Sequence, residues 1–204
     1  DNSTAVGYKA LELNTGAANT AVGAYSLDAN STGYFNTAVG TSAFGSNTTG
    51  YSGTAVGYNS LSTNTTGYMN TAAGDSALKR NTTGWQNTAL GHNALEANTT
   101  GIYNVGTGFH AMFANTTGAQ NTACGYAALT TNTTGDFNTA VGHSAMATNL
   151  GADNSTAVGH NALKLATGAT NTALGTNAGD ALTTGTDNIF VGYGTDASAV
   201  GATN

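Results

Sequence analysis

Residues 36–68 read NTAVGTSAFGSNTTGYSGTAVGYNSLSTNTTGY, so the phrases T-A-V-G and N-T-T-G-Y each occur twice, 17 residues apart. The glycine of the first phrase recurs along the whole chain at a spacing of 17, apart from two steps of 16. These glycines are Gly7, Gly23, Gly40, Gly57, Gly74, Gly91, Gly108, Gly125, Gly142, Gly159, Gly175 and Gly192. A fixed period of this kind indicates a repeat architecture. The 204 residues therefore form one repeat domain of twelve units, 1–204.

Each unit follows the template N-T-A-V-G-x-x-A-L-x-x-N-T-T-G-x-x, whose positions we number 1 to 17 from the first Asn. Both 16-residue steps lose their residue in the N-T-T-G stretch, at 14–16 and at 166–168. Turns tolerate deletions better than strands do. Asn and Thr side chains can cap local backbone groups in such a stretch, and we expect its glycine to supply a positive φ. N-T-T-G is therefore predicted to be a turn.

The T-A-V-G phrase predicts a short strand in which Thr and Val share one face while Ala and Gly share the other. A second apolar side chain follows five residues after the Val. A unit of this length is too short for a pair of helices, which needs about 33 residues. We therefore predict an all-β fold, a parallel β-solenoid of about twelve 17-residue coils. Equivalent residues of such coils stack about 4.7–4.9 Å apart.

We expect the strand Val and the later Leu to fill the core. The predicted core residues are Val6, Val22, Val39, Val56, Leu90, Val141 and Val158, with Leu27, Leu61, Leu78, Leu95, Leu129 and Leu163. Two large apolar side chains a coil make a thin core, so we expect several copies to associate. The Ala before the Val is small enough to let neighbouring backbones approach closely. Cys124 stands where other units have Val, Leu or Ala, and it is predicted to be a buried small side chain.

The charge pattern excludes several classes of partner. The chain has 4 Lys and Arg against 10 Asp and Glu, a net charge of −6, and no basic patch that could follow a phosphate backbone. No apolar run reaches the ~18–20 residues of a membrane span. Because the chain begins at Asp1, inside a repeat, we expect it to be a fragment of a longer fibre.

Two positions of the unit carry rows of large side chains. Position 6 carries a column of flat side chains, His92, Phe109, Tyr126, His143 and His160. We interpret it as a stacked surface or interface stripe in preference to a metal site, since no carboxylate or thiol accompanies the histidines. Position 16 carries Tyr34, Tyr51, Tyr68, Trp85 and Ile102. This strip suits packing between chains, or else contact with a sugar or a cell surface.

No residue set predicts an enzyme, a metal site or a cofactor. The carboxylates lie in different coils and columns, so none is placed to shift the pKa of another. The N-T-T and N-S-T triplets are formal N-glycosylation sequons, although a turn explains the same letters. These sequons begin at Asn2, Asn30, Asn47, Asn64, Asn81, Asn98, Asn115, Asn132 and Asn154.

The phrase T-A-V-G-x-x-A/S-L resembles the A-I-G-x-x-A coils of trimeric autotransporter adhesin heads, which are trimers of parallel β-rolls. The full pattern is similar to repeats in fibre proteins of tailed phages and some bacteria. The resemblance covers the whole chain and implies a homotrimeric structural fibre or adhesin shaft, extracellular, on a cell surface or on a virion. Its implied partners are copies of itself and a host-cell surface or glycans. The coils here are about three residues longer than those of the adhesin heads.

Units 11 and 12 depart from the template. Gly179 stands where Leu is expected, Leu182 is displaced, and Phe190 replaces the usual Ala. The phrase A-V-G then returns early, at 199–201. We therefore expect regular coils over 1–187 and an altered terminal coil over 188–204.

An ice-binding solenoid is the alternative function. If the Thr and Val of the strand point outward, they form a flat array of low charge, which suits the ordering of surface water. If they face the inside or another chain, this alternative fails.

Overall fold

A computed structural model describes residues 2–196 as a parallel β-solenoid with no helix in that range. Twelve strands of three residues lie side by side in the order of the sequence. They are β1 Thr4–Val6, β2 Thr20–Val22, β3 Thr37–Val39, β4 Thr54–Val56, β5 Thr71–Ala73, β6 Thr88–Leu90, β7 Val105–Thr107, β8 Thr122–Cys124, β9 Thr139–Val141, β10 Thr156–Val158, β11 Thr172–Leu174 and β12 Ile189–Val191. The predicted fold is confirmed.

The register places like residues over like. Thr37, Ala38 and Val39 of β3 pair with Thr54, Ala55 and Val56 of β4, and all other neighbouring strands pair in the same parallel way. The two 16-residue units keep this register, because Thr4 still pairs with Thr20 and Thr156 with Thr172. Their missing residue is absorbed outside the strands, as the sequence predicts.

The prediction that the strand Val lies in the core is wrong. The Ala of the strand is fully buried in coils 2 to 6, whereas Val6, Val22, Val39, Val56, Leu90 and Val141 are exposed and Val158 is half-buried. The interior beside the strand has room for little more than a methyl group. At Gly106, which replaces this Ala, an added Cβ would lie 3.3 Å from Cδ1 of Leu95. A branched side chain does not fit there, so it lies outside. The expectation that this Ala lets copies approach each other is wrong for the same reason.

The second apolar column does form the core. Leu27, Leu61, Leu78, Leu95, Leu129 and Leu163 are fully buried, together with the Ala or Ser before them in most coils. Phe44, Met112 and Met146 occupy the same column. Unit 11 has Gly179 in this column, and an added Cβ there would lie 2.7 Å from Cδ2 of Phe190. The Phe190 ring therefore takes the space that Leu fills elsewhere. The phrase A-V-G at 199–201 lies outside the described residues.

Two columns of buried Asn complete the interior. At position 12, the amides from Asn30 to Asn132 each donate to the Asn one coil earlier and to the glycine carbonyl at position 15 of their own coil. Asn64 Nδ2, for example, lies 2.9 Å from Asn47 Oδ1 and 2.9 Å from Gly67 O. At position 1, Asn70 Nδ2 donates to Gly84 O at 2.8 Å. Buried polar groups are costly unless they are paired, and these columns pair nearly all of theirs between coils.

The turn glycine does not have the backbone conformation that the sequence predicts. Positive φ occurs instead at the strand glycines, and at non-glycine residues of positions 7, 9 and 17 such as Asn59, Leu61 and Met69. In the regular coils glycine is required at position 15 for space, because a Cβ on Gly67 would lie 2.3 Å from Gly84 O and 2.4 Å from Asn64 Oδ1; the irregular coil 9 has Ala152 there. Three left-handed residues a coil, each disfavoured by about 1–2 kcal/mol, bend the chain into a closed turn.

Candidate functional site on the outward strand face

The side of the solenoid that carries the strands presents an uncharged array to the outside. Side chains alternate along a strand, so the buried Ala of position 3 places positions 2 and 4 on the outer face. Position 2 is Thr in every strand except β7 and β12, where it is Val105 and Ile189. Position 4 is Val or Leu in most strands, and Val22, Val39 and Val141 each keep 37% of their surface exposed. We call this array the Thr-x-Val face.

Cys124 belongs to the Thr-x-Val face. It is exposed and its thiol is free, so the prediction of a buried side chain is wrong. The reason is the same as for the strand Val, since Cys124 occupies position 4 of β8 and this position points outward. Its neighbours in the register are Thr107 and Val141.

The position-16 column lies directly before the strands and is a continuous stack of rings. Tyr34 and Tyr51 have centroids 5.0 Å apart, Tyr51 and Tyr68 are 4.9 Å apart, and Tyr68 and Trp85 are 5.3 Å apart, all nearly parallel. Phe35 packs edge-on against Tyr34, and Tyr103 packs edge-on against Trp85. Ile102 continues the column as a half-buried side chain.

The position-6 column lies directly after the strands and is a second stack, in the later coils. His92 and Phe109 are 5.3 Å apart, Phe109 and Tyr126 are 5.2 Å apart, and Tyr126 and His143 are 4.8 Å apart. His160 follows at 5.3 Å with a tilt of 35°. All five side chains are exposed. The structure therefore brings each predicted column together as a row of contacting rings.

Stacking decides what the columns can offer to a partner. Each inner ring is sandwiched between the rings one coil below and one coil above. A sugar packs against the face of an aromatic ring, but a partner approaching from the side meets mainly ring edges, which carry the positive part of the ring quadrupole, and the Tyr hydroxyl or imidazole N–H groups. These groups suit a flat protein surface that presents acceptors or apolar side chains.

Titratable groups in the described part of the chain form small local contacts. Burial lowers the pKa of His110, the nearby His92 lowers it further, and Glu96 raises it in part. Glu96 also accepts a contact from Arg80 Nε at 3.2 Å. Burial raises the pKa of Asp28 and the nearby Glu12 raises it further, and burial together with Asp180 raises the pKa of Asp196. The expectation that no carboxylate shifts the pKa of another is therefore wrong. Among residues 2–196, no group of three or more His, Cys, Asp or Glu side chains is arranged to hold a metal ion.

The sequons divide into two groups. Asn30, Asn47, Asn64, Asn81, Asn98, Asn115 and Asn132 are buried members of the position-12 column. Their amides are committed to the hydrogen bonds between coils, so a folded coil offers no nitrogen for a glycan. Asn2 and Asn154, which begin N-S-T triplets, are exposed. In the described part of the chain, no helix is long and apolar enough to cross a membrane.

The inward Asn columns are the main feature that sequence reasoning missed. Their signal was present, because Asn recurs at positions 1 and 12 in nearly every unit while the exposed positions between them vary. A role limited to turn capping would also allow Asp, Ser or Gly; none of these occurs at position 12, whereas position 1 also holds Ser3, Gly53 and Ser155. Restriction to Asn indicates a group that must both donate and accept, which only an amide ladder requires.

A comparison of the chain with models of protein families, with curated proteins and with solved structures finds no match in any of the three.

Proposed function

We propose that this chain is a shaft segment of a structural fibre or adhesin, in which several copies lie side by side along the Thr-x-Val face. By the resemblance of the repeat, the assembly is a homotrimer that is extracellular, on a cell surface or on a virion, and it mediates attachment to a surface or a host cell. The observation that carries this proposal is the exposed, uncharged Thr-x-Val face that follows the rod through all twelve strands.

The geometry suits a shaft. Twelve coils at about 4.7–4.9 Å each make a rod of roughly 55 Å. Hydrogen bonds between coils run around the whole coil, since Thr37 N bonds Gly53 O at 2.9 Å, Leu61 N bonds Ala77 O at 3.0 Å and Thr65 N bonds Thr82 O at 2.9 Å. Every coil is therefore tied to its neighbours on several sides. Such a rod resists bending better than a single flat sheet of three-residue strands.

The Thr-x-Val face suits association. Monomeric soluble proteins rarely expose a long contiguous apolar surface. Here Val or Leu fills position 4 in nine of the twelve strands, and none of the side chains at positions 2 and 4 of the described strands is charged. Burial of an apolar side chain stabilises by about 25 cal/mol for each Å² removed from water. The gain repeats in every coil, so even a small contribution from each coil becomes a stable interface.

Ice binding is a second candidate, because Thr and Val point outward, as that function requires. The face is regular, uncharged and flanked by small residues in several coils. Two observations favour the fibre instead. Ala73, Thr107 and Cys124 interrupt the Val and Leu side chains of position 4 in the middle of the rod, and two ring columns border the face where an ice plane would need it to stay flat.

The mass in solution, measured by light scattering, separates the two candidates. The fibre predicts a mass near three times 20.1 kDa, whereas ice binding predicts a monomer that shows thermal hysteresis. The test variant is Val39→Lys with Val56→Lys on the Thr-x-Val face. The control is Thr66→Lys with Thr83→Lys, at exposed positions of the N-T-T-G turn outside the strands. A monomeric test variant and an assembled control support the fibre. A monomeric wild-type chain at high concentration contradicts it.

A further inference from the structure

The two ring columns border opposite edges of the Thr-x-Val face. Position 16 lies three residues before the next strand Thr, and position 6 lies two residues after the strand Val. The three-residue strand between them spans roughly 10 Å at ~3.3 Å per residue, and among the described residues no ring of one column contacts a ring of the other. Any contact between the columns belongs to two copies.

The two columns are complementary in size along the rod. Rings fill position 16 from Tyr34 to Trp85, while position 6 of the same four coils holds Ala24, Thr41, Tyr58 and Asp75, so that Tyr58 is its one ring there. From Phe109 onward the rings are at position 6, while position 16 holds Ala119 and later Ala169. Large side chains change from one edge to the other near coil 6. A surface with bulk on one edge and space at the same height on the other fits a copy of itself.

The carboxylates of the two columns also lie at heights where the opposite edge carries large side chains. Among the described residues, these columns hold three of them, Asp75, Asp136 and Asp153. In the 17-residue units, each position-16 residue follows a position-6 residue by ten residues and precedes the next position-6 residue by seven. Along the axis of the rod, it therefore lies between these two position-6 residues. By this rule Asp136 lies between the heights of Tyr126 and His143. Asp153 similarly lies between the heights of His143 and His160.

The third carboxylate, Asp75, lies on the position-6 edge, and the rings at its height lie on the position-16 edge. Asp75 is at position 6, at a height between Tyr68 and Trp85 of position 16. The side chains concerned are Tyr, His and Trp, and each carries an O–H or N–H that can donate to a carboxylate. All three carboxylates of the two columns therefore lie level with ring donors on the opposite edge, which size complementarity alone would not require.

We propose that the position-16 edge of one copy packs against the position-6 edge of a second copy in parallel and at equal height, with Asp153 of one copy facing His143 and His160 of the next. The inference rests on the side-by-side association proposed above and specifies its partner surface. When two copies are related by rotation about an axis parallel to the rod, equivalent coils stay at the same height. The position-16 edge of one copy then meets the position-6 edge of the other. An antiparallel pair would instead place each edge against itself and separate His143 from Asp153.

Hydrogen bonds within the chain leave the required atoms for the partner. Oδ1 of Asp153 accepts from Asp136 N at 2.8 Å, and Oδ1 of Asp136 accepts from Ala119 N at 2.7 Å. Nδ1 of His143 lies 3.0 Å from the Ser144 hydroxyl. No residue among 2–196 hydrogen-bonds to Oδ2 of Asp153 or to Nε2 of His143. Each group is oriented by its own chain and keeps one atom for the next copy.

Variants of the two edges test the proposal in the full chain. We expect Asp153→Lys to raise the dissociation constant of the assembly about ten-fold or more, because it places a cation beside two imidazoles. Asp28→Lys is the matched control, since Asp28 is also half-buried and lies at position 10, away from both edges. Asp153→Lys combined with His143→Glu and His160→Glu restores opposite charges, and it should recover most of the lost affinity. Circular dichroism checks that each variant keeps its strands.

Cross-linking of Cys124 tests the direction of packing. In a parallel assembly the Cys124 thiols of all copies lie at one height, so a short bismaleimide should join Cys124 to Cys124. In the variant Ala73→Cys, parallel packing gives links between like cysteines, whereas antiparallel packing gives links between Cys124 and the introduced thiol. An assembled chain with mixed links, or with Asp153→Lys no weaker than Asp28→Lys, overturns this inference alone. A wild-type chain that stays monomeric overturns it together with the fibre proposal.

Discussion

Gly53 lies directly against the ring of Phe44, so close that a Cβ on Gly53 would be 2.4 Å from Cζ of Phe44. Position 9 of coil 3 holds this Phe in place of Leu, and the next residue at position 1 is Gly in place of Asn. The two departures from the template therefore compensate for each other: the larger core side chain, Phe44, occupies the space left by the smaller residue, Gly53. Gly53 N still donates to Asn36 Oδ1 at 2.9 Å, so the backbone keeps its place in the ladder.

This compensation predicts strong coupling between Phe44 and Gly53. Gly53→Asn should destabilise the rod by about 1–3 kcal/mol or more, because it overpacks the core against the ring. Phe44→Leu should also destabilise, because it leaves a cavity. The double variant restores the template, and it should recover most of the stability and extend the Asn column. Chemical denaturation of the four chains measures the coupling; additive effects would contradict the packing.

The end of the position-12 column provides a matched pair of sites. Asn81 both donates to Asn64 Oδ1 at 2.7 Å and accepts from Asn98 Nδ2 at 2.8 Å. Asn132 donates to Asn115 Oδ1, but its own Oδ1 is buried and has no partner, because Asn149 hydrogen-bonds within its own loop. Asn81→Ala should therefore destabilise by about 1–3 kcal/mol more than Asn132→Ala, since it also strands a donor. Equal losses, measured by denaturation, would show that the ladder makes no such contribution.

Glycosylation should be confined to the exposed sequons. In a eukaryotic secretory host we expect glycans on Asn2 and Asn154, and none on Asn64 or Asn98 of correctly folded protein, since those amides are buried in the ladder. Mass spectrometry of glycopeptides from the soluble, β-rich fraction measures this. The exposed sites are the internal control for enzyme access. A glycan on Asn64 of the folded rod would contradict the buried column.

Acid should weaken the fold through His110. Burial and His92 lower its pKa from the ordinary value of 6.5, so below that value the unfolded chain binds a proton that the folded chain resists. The free energy of unfolding should therefore fall as the pH drops through 6.5 and reach its full loss below the folded pKa. His110→Gln should reduce this fall. Thermal unfolding measures the fall for the wild-type chain and for His110→Gln. At about pH 8 imidazole is neutral in both the folded and the unfolded state, so the difference between the two chains there gives the effect of the substitution apart from protonation.

The departures from the template show how far the sequence can predict this fold. Gly179 and Phe190 looked like the end of the regular solenoid, yet β12 pairs with β11 in the usual register, with Phe190 beside Ala173. The two irregular residues compensate for each other in space. They are eleven residues apart, so only a neighbouring-coil contact reveals that one side chain fills the place of the other.

The sequence by itself determined the period, the parallel stacking and the two ring columns. A repeat of constant length places equivalent residues one above another, whatever the shape of the coil. Only the tertiary structure decided which face of each strand is inside. An alternating pattern does not distinguish the two faces, and the choice depends on the narrow space beside Leu95, which admits Ala and excludes Val. That choice placed Asn inside, put Val and Cys124 outside, and left an uncharged array exposed on the strand side of the rod.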